Sequence, residues 1–208
     1  MDKNNIEIKD KSMEIYSLQV NHLHNPMGYE MQKTVFSWKI RNAKGKKQTA
    51  ARIRIGGSID LKSTDLIVDT GFSSELSSLA ATVDIALLPC KRYYWDVTVR
   101  SDQDEEVVSE VQWFETGKMN EPWVGKWISC DNNETRHPIF KKKIILNGEV
   151  RSARLYICGL GVYEAFYDDK RIGDEYLAPY CNDHNQSHQD QSLNYHGQLG
   201  SLIRLFLI

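Results

Sequence analysis

The chain has 208 residues, and its 41% hydrophobic and 26% charged residues are ordinary proportions for a globular protein. Lysine and arginine number 26 against 28 aspartates and glutamates, which gives a formal net charge of −2. This balance argues against nucleic acid and against a polybasic membrane patch. No segment approaches the roughly 20 apolar residues of a membrane-spanning helix. We therefore expect neither a nucleic acid nor a membrane as partner.

The N-terminal residues, 1–12, are polar and charged and predict a flexible leader. Because they lack the apolar core of a secretory signal, we expect a cytoplasmic location. Four cysteines stand far apart without a CxxC pair, which predicts reduced packing residues rather than a zinc site. They are Cys90, Cys130, Cys158 and Cys181.

Apolar and polar residues alternate along several segments between residues 13 and 118. The segments 36–41, 51–55, 93–100 and 111–114 follow a period of two, which is typical of strands with one buried and one exposed face. Clusters of turn-forming residues separate these segments, and no segment carries a long helical stripe. Short strands at roughly ten-residue spacing predict an all-β protein whose first domain, 13–118, is a β-sandwich.

A polar linker that contains a proline, residues 118–123, predicts a domain boundary. From Trp123 onward the period-two pattern returns, for example in 153–158, and the turn pair Asn147-Gly148 supports a hairpin. We expect the second domain, 123–208, to be a β-sandwich of the jelly-roll type.

The last residues of the chain break this pattern. Residues 182–198 are very polar and predict a solvated loop, with metal binding by His184, His188 and His196 as the alternative. The following segment, 201–208, reads SLIRLFLI and predicts an apolar strand at an unpaired sheet edge, which is an aggregation hazard. For this reason we expect the second sandwich to be incomplete.

Adjacent carboxylates at Asp168-Asp169, Glu105-Glu106 and Asp174-Glu175 are the candidates for an acid and base pair. Neighbouring residues on a strand point to opposite faces, and in a turn such residues are common for conformational reasons. The sequence also lacks GxSxG, P-loop and GxGxxG motifs. We therefore predict no catalytic residue in this chain.

Aromatic rings are concentrated in the second segment among aspartates and asparagines. Flat rings stack on the apolar face of a sugar, and nearby oxygen atoms accept hydrogen bonds from its hydroxyls or hold calcium. The alternative is that the rings are core residues and the acidic clusters are turns. The candidate carbohydrate-binding residues are Trp123, Trp127, Tyr163, Tyr180, Asp131, Asn132, Asp168 and Asp169. Apart from calcium in this second sandwich, no cofactor or metal is predicted.

Several short motifs stand in order along the chain, beginning with Asn25-Pro26-Met27-Gly28, Phe36-Ser37-Trp38, Gln48-Thr49-Ala50 and Asp69-Thr70-Gly71. They resemble the opening of bacterial α-L-rhamnosidases, and Trp123–Ile128 resembles the start of that family's next domain. Further segments match in the expected order: 93–97, 113–117, 152–157, 159–164 and 170–179. The resemblance covers about residues 13–190 and implies a fibronectin-III-like or immunoglobulin-like sandwich followed by a second sandwich.

The resemblance carries no catalytic residue with it. The family's (α/α)₆ barrel, which holds its acidic catalytic residues, has no counterpart in this sequence. In some relatives the sandwich next to the fibronectin-like module binds rhamnose with calcium, which implies L-rhamnose-containing glycans as a partner. This chain departs from the family at Asp168-Asp169, where Asn-Gly is usual, and after Gly200.

We therefore expect the N-terminal, non-catalytic portion of an α-L-rhamnosidase, a truncated or frameshifted product without hydrolysis of its own. One alternative is a stand-alone carbohydrate-binding module that recognises rhamnose. The other is a structural β-sandwich interaction protein. The oligomeric state is left open.

Overall fold

The computed structural model describes residues 12–130, 138–144, 153–159, 162–173, 191–195 and 202–207. Every regular element in these ranges is a β-strand, which confirms the prediction of an all-β protein. The chain divides into two compact units between Thr116 and Gly117, with residues 28–30 grouped with the second unit. The predicted leader, apart from its last residue, lies outside the described residues.

The first unit contains two antiparallel sheets. The smaller sheet has the order β1-β3-β6, and the larger has the order β2-β9-β7-β4-β5 with β8 also paired to β7. The strands are β1 Glu14–Val20, β2 Met27–Tyr29, β3 Thr34–Arg41, β4 Gln48–Gly56, β5 Leu66–Asp69, β6 Ala81–Val83, β7 Arg92–Ser101, β8 Glu106–Val108 and β9 Gln112–Thr116.

The apolar faces of these strands form the core between the two sheets. On β4 and β7, Ile53 lies directly opposite Val97, and both are fully buried. The rings of Phe36 and Trp95 meet edge to face with centroids 4.7 Å apart. Each large apolar side chain that is fully buried contributes about 1.5–3 kcal/mol. The period-two alternation therefore identified the core face of these strands correctly.

The β3–β4 connection is fixed by two acidic side chains from the turn after β7. The carboxylate of Glu105 accepts hydrogen bonds from the N–H groups of Lys44 and Gly45, at 3.0–3.1 Å. A Cβ at Gly45 would lie 2.4 Å from Oδ1 of Asp102 and 2.7 Å from Cβ of Ser101, so a larger residue there would displace these side chains. These backbone donors lower the pKa of Glu105 below its ordinary value, with Gly45 the largest contributor.

The described part of the second unit contains a four-stranded sheet with the order β10-β15-β12-β13 and a separate pair, β11 and β14. The strands are β10 Ile139–Lys143, β11 Ala153–Ile157, β12 Tyr163–Tyr167, β13 Lys170–Arg171, β14 Gln191–Tyr195 and β15 Leu202–Leu207.

Two expectations for the end of the chain are wrong. The apolar segment at 202–207 is not an unpaired edge: Leu205 of β15 pairs with Phe140 of β10 on one side and with Ala165 of β12 on the other. The polar stretch before it is not all loop, because β14 pairs with β11 through Leu193 and Leu155. A central strand has its backbone groups satisfied on both sides, which removes the edge that the hazard required. The histidines at 184, 188 and 196 lie outside the described residues.

Candidate functional site

The start of the second unit carries two exposed tryptophans. Residues 121–130 contain no strand and are all exposed. Trp123 is 43% exposed and Trp127 is 65% exposed, whereas the strand residues Trp38 and Trp95 are only 1–2% exposed. Val124 and Ile128 stand beside them as exposed apolar side chains. We refer to residues 118–128 as the tryptophan segment.

A turn at the start of the tryptophan segment orients Trp123. The N–H of Glu121 donates to the carbonyl of Lys118 at 2.9 Å, and Nζ of Lys118 lies 3.9 Å from the Glu121 carboxylate. The same ammonium lies 5.1 Å from the ring centroid of Trp123. A cation over an exposed indole contributes about 0.5–1 kcal/mol. The turn therefore places the ammonium of Lys118 beside both the Glu121 carboxylate and the Trp123 ring.

The other predicted carbohydrate-binding residues have different environments. Tyr163 is 2% exposed on β12, so its ring packs inside the second unit, which is the position that the alternative interpretation as a core residue expects. Asp168 and Asp169 are exposed at the tip of the β12–β13 hairpin, both with positive φ. This is the conformation of a tight two-residue hairpin turn, where aspartate is favoured for its backbone tolerance.

Three remaining candidates, Asp131, Asn132 and Tyr180, lie outside the described residues. Among the residues that are described, no group of three or more histidine, cysteine, aspartate or glutamate side chains comes close enough to hold a metal ion. Calcium therefore stays a prediction. Within the same described ranges, no helix has the length and apolar character that a membrane crossing requires.

An arginine and carboxylate network on the outer face of the larger sheet was not predicted. Arg52 donates through Nε to Asp69 at 2.7 Å, Arg54 to Asp96 at 3.0 Å, and each guanidinium makes a second bond to the same carboxylate. The hydrogen bond from Arg52 lowers the pKa of Asp69 to about 2. The alternation of β4 and β7 places Arg54 and Asp96 on their polar faces, and the two residues are directly paired in the register. This alternation was the sequence feature from which the ion pair could have been predicted.

A third pair extends this network. Nε of Arg92 donates to the buried carboxylate of Glu115 at 2.9 Å, and the same guanidinium lies 4.0 Å from the ring centroid of Trp113. Planar guanidinium groups suit both contacts, because they bind carboxylates through a fixed fork and stack on aromatic faces. Each of the three carboxylates contacts an arginine of a neighbouring position in the sheet, which is a structural role.

The short motifs of the first unit also have structural roles. In Asp69-Thr70-Gly71, Oδ1 of Asp69 accepts the N–H of Gly71 at 3.0 Å, and Oγ1 of Thr70 accepts the N–H of Ile53 at 2.9 Å. Oδ1 of Asn25 accepts the N–H of Trp113 at 3.2 Å. Nε1 of Trp38 donates to Gln48 at 3.1 Å. These motifs therefore fix strand ends to one another.

Family models match both units. The model described as the Rha78A-like N-terminal immunoglobulin domain matches residues 15–120, which is half of the chain. The model of the α-L-rhamnosidase N-terminal domain matches residues 148–200. The chain belongs to the α-L-rhamnosidase family. This confirms the resemblance that the motifs predicted and assigns the first unit of this rhamnosidase-family chain to the immunoglobulin-like class.

Named relatives show which part of an α-L-rhamnosidase the chain resembles. It is 32% identical over 200 residues to an α-L-rhamnosidase of Formosa agariphila, an alignment that covers 81% of this chain and 21% of the relative. The structure of the α-L-rhamnosidase from Dictyoglumus thermophilum matches with a TM-score of 0.77 and 28% identity, over 93% of this chain and 25% of that one.

A third similarity concerns the fold alone. The Streptomyces avermitilis α-L-rhamnosidase complexed with L-rhamnose matches with a TM-score of 0.53 and 20% identity, over 94% of this chain and 22% of that structure. The chain thus spans between a fifth and a quarter of the length of these three relatives. It corresponds to their N-terminal, non-catalytic region, as the sequence predicted.

Proposed function

We propose that this chain is an accessory region of an α-L-rhamnosidase that holds rhamnose-containing glycans through its tryptophan segment. The observation that carries the proposal is the exposure of Trp123 and Trp127 within five residues of each other. Exposed indole surface is unfavourable in water at roughly 25 cal/mol per Å² of apolar area, so a ligand that covers it is stabilised. A deoxysugar offers an apolar ring face and a methyl group for this contact.

The carboxylates of the first unit support a role without hydrolysis. A glycosidase needs one carboxylic acid whose pKa is raised and a second carboxylate across the scissile bond. Asp69, Asp96 and Glu115 are instead each held by an arginine, and the pKa of Asp69 is lowered to about 2. A carboxylate whose pKa is lowered, as that of Asp69 is, is unsuited to donate a proton to a leaving group.

The proposal is tested by titrating the full chain with methyl α-L-rhamnoside in a calorimeter and by tryptophan fluorescence. We expect millimolar binding that Trp127→Ala and Trp123→Ala each weaken at least fivefold, because each removes a stacking ring. The control is Ile128→Ala, which removes a comparably exposed apolar side chain without an aromatic face. Heats that equal those of dilution at millimolar sugar, or equal weakening by all three variants, would contradict the proposal.

Calcium is tested in the same titration. If Asp131 and Asn132 help to hold a calcium ion beside the sugar, binding in the presence of a chelator is weaker than binding with millimolar calcium. Equal affinity in the two conditions would show that calcium does not contribute to sugar binding, and it would not affect the proposed stacking contact.

A structural interaction role is the second candidate, and it rests on different side chains. Val124 is 97% exposed and Ile128 is 59% exposed, and aliphatic side chains of this kind favour a protein partner over a sugar. This candidate would be favoured if the wild-type chain binds no sugar and if Val124→Ala weakens its association with a protein partner.

A further inference from the structure

One transverse row of the four-stranded sheet in the second unit is rich in basic residues. Lys141 of β10 lies directly opposite Arg204 of β15 in the register. On β12, Phe166 lies between Arg204 and Arg171 of β13. Neighbouring strands are about 4.8 Å apart, so the row extends over about 14 Å. A lysine and two arginines therefore share this row with one phenylalanine.

The row lies on the face of the sheet that is turned away from its buried side chains. The buried residues of β12 are Tyr163, Ala165 and Tyr167. Phe166 belongs to the opposite face and is only partly buried. Residues that lie directly opposite each other share a face, so Lys141 lies on the face of Phe166, and Lys143 lies there two residues along β10. We refer to Lys141, Lys143, Phe166 and Arg171 as the basic face.

The lysines of the basic face carry charge that the described carboxylates do not neutralise. Lys141 and Lys143 are both exposed. Among the side chains that the structure describes, none forms an ion pair with either lysine. Glu164 lies on the same face of β12, but its partner in the register is Phe206 and not a cation. The face is therefore complementary to an anionic ligand.

Edge protection explains only part of this arrangement. β10 is the terminal strand of its sheet, and lysines on such a strand prevent pairing with another chain. This role does not account for Arg204, because β15 is paired on both sides. It also does not account for a partly buried aromatic residue, Phe166, within the basic row.

We propose that the basic face binds an acidic oligosaccharide. Lys141 and Lys143 bind carboxylates of the ligand, and Phe166 stacks on the apolar face of a sugar ring. The aromatic position within the row favours a sugar over an acidic peptide, because a flat ring covers the apolar face of a pyranose. The inference rests on the proposed function and extends it to glycans that also carry carboxylates, through residues outside the tryptophan segment.

The test is a calorimetric titration of the full chain with trigalacturonate at low salt. Lys141→Gln removes a cation of the basic face and should weaken binding at least threefold. The matched control is Lys142→Gln, which removes the same charge from an exposed lysine of the other phase of β10 and should leave affinity within 1.5-fold of wild type. Phe166→Leu keeps an apolar side chain without the ring and should weaken binding severalfold. Added salt should weaken wild-type binding.

Three results would overturn the proposal. They are no binding of trigalacturonate at millimolar concentration, equal weakening by Lys141→Gln and Lys142→Gln, and equal binding of the neutral methyl ester of trigalacturonate. Tighter binding of hexaglutamate with the same dependence on Lys141 would assign the basic face to an acidic protein segment instead.

The double variant Trp123→Ala, Trp127→Ala separates this proposal from the sugar-binding role of the tryptophan segment. It should keep trigalacturonate binding and lose the binding of methyl α-L-rhamnoside. Loss of both would assign the acidic ligand to the tryptophan segment and contradict the basic face. A wild-type chain that binds trigalacturonate but no methyl α-L-rhamnoside would contradict the tryptophan segment alone.

Discussion

Tryptophan has opposite roles in the two units of this chain. In the first unit Trp38 and Trp95 lie on the apolar phase of strands and are buried, whereas Trp123 and Trp127 of the second unit lie outside any strand and are exposed. A buried ring is held by packing on all sides, while an exposed ring leaves part of its surface to solvent. Tryptophan therefore stabilises the core of the first unit, whereas in the second unit Trp123 and Trp127 lie at the surface.

The largest expected effect comes from removing a buried tryptophan of the first unit, and it tests the comparison of the two units most directly. Trp95→Ala should lower the free energy of unfolding by about 3–5 kcal/mol, because it removes a buried ring that contacts Phe36 and leaves a cavity. Trp127→Ala, the matched control, should change it by less than about 0.5 kcal/mol. Denaturant unfolding followed by circular dichroism measures both. Equal losses would mean that Trp127 is also a packing residue.

A second prediction compares two arginine and carboxylate pairs within the first unit. Arg54→Ala leaves the Asp96 carboxylate, whose side chain is 2% exposed, without its partner and should lower the free energy of unfolding by about 2 kcal/mol. Arg41→Ala breaks the exposed pair with Glu14 and should lower it by less than about 1 kcal/mol. Similar losses in the two variants would show that burial of Asp96 carries no energetic weight.

The smallest expected effect concerns pH. Because Arg52 lowers the pKa of folded Asp69 to about 2, the ionised carboxylate stabilises the fold above the unfolded pKa near 4. This contribution is lost as the pH falls from about 4 to about 2. Wild type should therefore be more stable than Asp69→Asn at pH 5, and the difference should shrink towards pH 2. A difference that is independent of pH would contradict the assignment.

The strands of the first unit could be predicted because their signal is local. Alternation in 93–100 determines which side chains face the core, and the buried set Tyr93, Trp95 and Val97 follows it. The same rule applied to β12 assigns Tyr163, Ala165 and Tyr167 to one face, and all three are buried. The alternation therefore identifies Tyr163 as a core residue. Its choice as a candidate sugar ligand rested on its aromatic ring and did not consider on which face of the strand it lies.

The arrangement of the second unit could not be predicted in this way. The strand β15 pairs with β10 across about sixty residues of sequence, and nothing local to SLIRLFLI indicates whether partners exist on one side or on two. The polar stretch that contains β14 lacks apolar alternation, and its strand is set by the pairing with β11. Tertiary pairing overrides local propensity in both cases.

The central proposal is that this chain binds a rhamnoside without hydrolysing it. The most direct measurement is a calorimetric titration of the full chain with methyl α-L-rhamnoside, followed by chromatography of the same sample for free L-rhamnose. The account predicts millimolar binding that is lost in the Trp123→Ala, Trp127→Ala double variant, with no free sugar after prolonged incubation. Release of L-rhamnose by the wild type, or binding that survives in the double variant, would contradict it.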